Sequence, residues 1–138
     1  MTKEQIFDFM SNETLAVLGS ISPEGLPQAA LVGIAVTPDL EIIFDTVKSS
    51  RKYRNLTANR AASFVVGTTR EITVQFEGVA TELSGEDLAR YQKIYFAKWP
   101  DGPSRLSWPG ICYFVVRPRW VRYNNFDRRP PEIVEFEC

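Results

Sequence analysis

The chain has 138 residues, 44% of them apolar and 12% aromatic, which suits one folded domain spanning 1–138 and leaves little room for a second. Sixteen basic against seventeen acidic side chains give a net charge of −1, a balance that argues against wholesale nucleic-acid binding, which shows as a basic excess. No apolar run approaches the roughly 20 residues needed to span a bilayer, so no membrane partner is expected.

Thr2 followed by Gln5 forms a capping box, and Ile6, Phe9 and Met10 recur at helical spacing, so a short helix is expected that stops near Asn12. Strand patterns follow. Thr14 to Ile21 is apolar and β-rich, Ser22-Pro23-Glu24-Gly25 reads as a turn, and Pro27 to Val36 reads as a second strand. Thr37-Pro38-Asp39 turns the chain again, and Leu40 to Thr46 is the third strand of an expected meander of hairpins. A helix is predicted over 50–59, then a strand from Ala61 to Val66. Ile72, Val74 and Phe76 alternate with Thr73, Gln75 and Glu77, the pattern of a half-buried strand, and Gly78 inside it marks a bulge or bend.

Ser84 and Asp87 open a further helix with Leu88, Tyr91 and Tyr95 on one face. Two prolines and a glycine make Trp99–Pro103 a loop, either a lid or a rigid connector. Ile111 to Val116 and Arg119 to Asn125 are expected as separate strands broken at Pro118, and Pro130-Pro131 starts an extended tail carrying Arg128 and Arg129. Six or seven strands with helices between only some of them fit an α+β, mainly β fold: a closed antiparallel barrel with a few flanking helices.

The chemistry is bounded by what is missing. The chain has no histidine, which removes Ser-His-Asp and Cys-His hydrolases, the common zinc enzymes and histidine-ligated haem. A borrowed cofactor is the natural source of reactivity, and no catalytic side chain is singled out. Cys112 and Cys138 have no zinc spacing, so no metal site is expected. The start of the chain, Met1-Thr2-Lys3-Glu4-Gln5, mixes acids with apolar residues and does not read as a secretory signal, so a cytoplasmic protein with reduced thiols is expected.

The most informative stretch runs from Phe44 to Leu56. A strand ends at small hydroxyls, and the helix that follows carries Arg51 and Lys52 in its first turn. Helix amino termini present unpaired N–H groups and partial positive charge, so acids are usual there, and two added cations suit a bound phosphate. The competing account is a solvated basic face with Ser49 or Ser50 as an ordinary cap. The Arg117, Arg119, Arg122 cluster likewise reads as an anion receiver or as a charged strand edge.

The order of elements, with Ile42-Ile43-Phe44-Asp45-Thr46, Ser50-Arg51-Lys52, Asn55-Leu56, Asn59-Arg60-Ala61-Ala62-Ser63 and Gly78-Val79-Ala80, resembles the flavin-binding split barrel of the pyridoxamine 5′-phosphate oxidase superfamily. The resemblance implies a homodimer holding FMN at the subunit interface and acting on a small-molecule substrate. It assigns Thr46, Ser50, Arg51 and Lys52 to the FMN phosphate and ribityl end, and Thr73 to a polar contact with the flavin. Trp120 and Tyr123 would pack near the cofactor of the partner subunit. The strand through Val32, Gly33 and Ile34 offers backbone groups for the ring edge, with Gly33 allowing close approach. Ordinary packing competes for Trp120 and Tyr123, and a bulge competes for Gly33.

Two departures stand out. Ala30 and Ala35 occupy positions where characterised oxidases carry an arginine and a lysine, and the Arg-x-His element that grips pyridoxal substrates is missing. The expected function is an FMN-dependent oxidoreductase that moves hydride between flavin and a small molecule. The alternatives are a non-catalytic flavin-binding or sensing module, or the same barrel with a deazaflavin or haem.

Overall fold

The computed structural model describes residues 1–138. Helix α1 (Lys3–Ser11) starts at the expected capping box, the Thr2 hydroxyl accepting the Gln5 N–H and the Gln5 side chain accepting the Thr2 N–H. Eight strands follow in one antiparallel sheet: β1 (Leu15–Ile21), β2 (Pro27–Gly33), β3 (Ala35–Val36), β4 (Ile42–Val47), β5 (Ala61–Val66), β6 (Ile72–Glu82), β7 (Ile111–Asn125) and β8 (Glu132–Glu137). The spatial order is β2-β1-β5-β6-β7-β4-β3, and β8 pairs with β7 beside β4.

That order explains the shape. Gly33 ends β2 at one extreme of the sheet and Ala35 begins β3 at the other, with only Ile34 between them. Two edges one residue apart in sequence require the sheet to curl round on itself. They do not pair: β2 is bonded to β1 alone and β3 to β4 alone, so a split remains between β2 and β4. The fold is therefore a split barrel. The predicted single strand from Pro27 to Val36 is two strands serving opposite edges, and the expected meander breaks at that point.

The barrel encloses Leu18, Val32, Phe44, Phe64, Phe76 and Phe114, with α1 closing one end through Ile6 and Met10. Phe44 stacks on Phe114 at 5.5 Å, and Phe64 meets Phe44 and Phe76 edge-on. A second cluster lies outside the barrel, where α3 (Gly85–Lys98) lays Tyr91 and Tyr95 over Ile43, Tyr113 and Val115.

Three further expectations are revised. Strand β7 runs unbroken through Pro118, because Pro118 sits opposite Gly78 where the β6–β7 register shifts, and a bulge tolerates a residue with no N–H. A Cβ on Gly78 would lie 2.3 Å from the Arg117 carbonyl oxygen, so the two chains cross there only because one residue has no side chain. Pro103 falls in the first turn of a 3₁₀ helix, Gly102–Ser107, where its fixed φ is compatible, so the expected loop is half helical. The tail after Pro131 forms β8, and Arg128 pairs with Glu132 at 3.0 Å.

Candidate functional site

Strand β4 delivers Thr46 to the start of helix α2 (Arg51–Ala58). Ser50 is the cap residue, its hydroxyl accepting the Tyr53 N–H at 3.2 Å while sharing a 2.9 Å hydrogen bond with the Thr46 hydroxyl. This exchange ties the helix start to the strand end. The first turn contains no acid. Arg51 and Lys52 are without ion-pair partners, and the neighbouring Glu24 is taken by Arg54 at 3.1 Å. Two cations therefore stand at the positive end of a helix with neither in an ion pair, the Glu24 carboxylate reaching Arg51 only through its longer-range charge.

Lys52 stands between two cavities. One, of about 390 Å³, is bounded by Arg51, Lys52, Ser20, Gln28, Ala29 and Ala30. The other, of about 270 Å³, occupies the split itself, between Leu31–Gly33 of β2 and Asp45–Val47 of β4, with Lys52 and Trp108 beside it. Its rim is apolar and open: Leu31 is 61% exposed and Trp108 53%. Because β2 is an edge strand, the backbone groups on its outer side have no ladder partner. A charged end, an apolar wall and free backbone groups thus line two neighbouring cavities that share Lys52.

Gly33 has a reason of its own. A Cβ there would stand 2.7 Å from Cζ2 of Trp99, whose indole N–H donates to the Ile34 carbonyl at 2.9 Å. The close approach that needs glycine is made by Trp99. Ile34 spends both backbone groups internally, since its N–H donates to the Thr14 carbonyl at 2.9 Å. Trp99 in turn stacks on Tyr95, and the Tyr95 hydroxyl donates to Asp45 at 3.3 Å. Burial first, and then the Asp45 charge, push the Tyr95 phenol well above its ordinary range, so it stays a proton donor. Arg105 of the 3₁₀ helix closes the set with a 3.0 Å ion pair to Asp45, both side chains 16% exposed. Asp45 is thus committed to holding the α3–3₁₀ segment against β4.

Of the residues singled out from sequence, Gly33, Thr46, Ser50, Arg51 and Lys52 are brought together around these two cavities. Thr73 and Trp120 lie elsewhere, on the outer face of the sheet, where Trp120 walls a wider cavity of about 670 Å³ with Gly19, Ser63, Glu77 and Cys138. Tyr123 points the opposite way, into the barrel, 3% exposed and edge-on to Phe9, because alternation along β7 turns Val121 and Tyr123 inward together. Arg122 lies between β6 and β8, not at the expected strand edge, and is engaged with Asn124 at 2.9 Å and Glu135 at 3.7 Å.

Sequence reasoning missed Trp99, Arg105 and a buried polar group formed by Asn55, Ser20 and Gln28. Asn55 donates to Ser20 at 3.0 Å and to Gln28 at 2.6 Å. The predicted turn at Ser22–Gly25 carried part of that signal, because a hairpin closed there sets Ser20 opposite Gln28. Nothing local in the sequence ties Trp99 or Arg105 to strands more than fifty residues upstream.

The sequence profile of the pyridoxamine 5′-phosphate oxidase family matches residues 2–125. No curated protein matches the chain by sequence. Among solved structures, a heme binding protein from Mycobacterium smegmatis superposes with a TM-score of 0.83 at 17% identity, covering 98% of this chain and 57% of that one. The chain therefore spans little more than half of that protein's length. General Stress Protein 26 from Bacillus anthracis gives 0.73 at 20% identity, covering 97% and 98% of the two chains. A pyridoxamine 5′-phosphate oxidase-related, FMN binding protein from Nostoc punctiforme gives 0.67 at 13% identity, covering 99% and 92%. At these identities the structural likeness is one of fold.

Proposed function

The chain belongs to the pyridoxamine 5′-phosphate oxidase family, and from that premise we propose that it binds FMN in the opening between β2 and β4 and serves as an FMN-dependent oxidoreductase for a small molecule. The observation that carries the reading is the pair Arg51 and Lys52, without ion-pair partners at a helix start, both bordering one cavity, with Lys52 also bordering the split.

The donor set fits the group. A phosphate dianion calls for cations and N–H donors, which Arg51, Lys52 and the first turn of α2 supply. A flat ring calls for an apolar wall and backbone groups along its edge, which Leu31, Trp108 and the free side of β2 supply. The Thr46–Ser50 hydrogen bond fixes the helix start that carries the cations. Bound there, FMN would supply hydride chemistry at its N5 atom, while these residues bind it, orient it and exclude water.

A homodimer completes the reading. One row of the outer face, Leu31, Val17 and Val65, is apolar across three paired strands, and Leu31 and Val65 are exposed. A second copy laid on that row would shield the open side of the split and bring its own Trp120 and Thr73 toward the neighbouring ligand. The alternative is a non-catalytic flavin-binding module. It is favoured by the lack of any histidine and by the commitment of Asp45 to Arg105, which leaves the split without a free carboxylate.

Titrating FMN into the purified protein and following flavin fluorescence tests the site. Wild type is expected to quench the flavin, and Lys52→Ala to bind it more weakly by about 1.5–3 kcal/mol, the scale of a charged hydrogen bond. Equal affinity in the two proteins would move the phosphate elsewhere. Turnover of bound flavin with nicotinamide donors separates the enzyme from the module.

A further inference from the structure

The cavity beside Arg51 and Lys52 has a polar floor that no charge explains. Ser20 and Gln28 are cross-strand partners on β1 and β2, both on the inward side, at the end of the barrel that α2 covers. Neither meets an acid. Both are held from below by Asn55 of α2, which is 2% exposed and donates one amide hydrogen bond to Ser20 Oγ and another to Gln28 Oε1.

The direction of those bonds decides what the floor presents. Ser20 accepts from Asn55, which frees its own hydroxyl proton to donate. Gln28 accepts through its carbonyl oxygen, which leaves its amide NH₂ for another partner. Both residues line the cavity that Arg51 and Lys52 close. Ser20 and Gln28 also border the wider cavity on the outer face, but only on the Arg51 and Lys52 side do their free donors stand beside two cations. A donor-lined cavity of about 390 Å³ has room for a phosphate group. Ala30, a small residue, also lines the cavity.

We infer that Ser20 and Gln28, oriented by Asn55, complete the phosphate site as uncharged donors, so that this chain recognises the phosphate of its ligand through a hydroxyl and an amide as well as through Arg51 and Lys52. Asn55 is a positioning residue in this arrangement: it turns two ambivalent side chains into donors. The inference rests on the FMN reading above and adds to it the groups that set selectivity for the phosphorylated flavin. A carboxylate at position 28 would put an anion where the donor now stands and repel a dianion. Loss of the Ser20 hydroxyl would remove one neutral contact.

The experiment compares dissociation constants for FMN and for riboflavin, by flavin fluorescence quenching, in wild type, Gln28→Glu, Ser20→Ala and Asn55→Leu. Riboflavin shares the ring and the ribityl chain and lacks only the phosphate, so the ratio of the two constants isolates this cavity. Wild type is expected to favour FMN. Gln28→Glu is expected to weaken FMN at least tenfold with riboflavin within about twofold of wild type, and Ser20→Ala to weaken FMN selectively by about threefold to tenfold. Asn55→Leu is expected to lower the ratio in the same direction. A merely structural role would weaken both ligands together or neither. A wild-type preference for FMN that survives intact in Gln28→Glu and Ser20→Ala overturns this inference and leaves the FMN reading standing. A wild type that binds riboflavin as tightly as FMN overturns both.

Discussion

Arg51 and Lys52 occupy the turn of α2 where the helix dipole favours acids, and they sit there with no acid in that turn and no ion pair of their own. The arrangement disfavours the ligand-free protein and suits an anionic one. Arg51→Gln should therefore raise the unfolding free energy of ligand-free protein by about 0.3–1 kcal/mol, read from urea denaturation, while lowering affinity for FMN. A variant that loses stability instead would mean the guanidinium serves the fold. This cluster was legible in the sequence because cap, strand end and first turn are local, contained within Thr46–Lys52. Its floor was not. Asn55 meets Ser20 and Gln28 only after β1, β2 and α2 have docked, and a residue type alone does not announce a partner 35 positions away. Gly33 shows a related gap: its need for a missing Cβ was readable, but the indole that imposes it comes from Trp99.

The elements follow from alternation and punctuation where those signals are local. The α1 capping box, the strand Ala61–Val66 and the Gly78 bulge all stand as the sequence implied. The failures share one cause, in that tertiary pairing overrides local breakers. Pro118 reads as a strand end, yet opposite a glycine bulge it needs no N–H, so β7 continues past it. The Gly78–Pro118 crossing is therefore a joint in which glycine is required by space, since Arg117 oxygen lies 2.3 Å from where a Cβ would stand. Gly78→Ala should destabilise the protein by about 1–3 kcal/mol through overpacking, measured by urea or thermal denaturation. A neutral result would show that β6 and β7 can part there at no cost, and that the bulge does not fix the barrel's bend.

At the scale of the molecule, alternating strands and scattered helices were enough to indicate a curled antiparallel sheet. The position of the split was not, because it depends on Ile34 acting as a one-residue hinge between the two sheet edges. The split gives the molecule an open side, and the apolar Leu31–Val17–Val65 row, exposed at Leu31 and Val65, continues from it across the outer face. If a second copy covers that row, sedimentation should report a dimer, and Leu31→Lys combined with Val65→Lys should shift it to monomer by placing like charges in the interface. A double variant that sediments as wild type would move the interface to another face.

The central claim is that the cation-bearing helix start beside the split holds a phosphorylated flavin. The most direct measurement is the visible spectrum of freshly purified protein, followed by the mass of whatever small molecule it releases on denaturation. The account predicts a yellow protein that releases FMN. A colourless protein to which added FMN gives neither quenching nor a thermal shift, or one that releases haem, would contradict it.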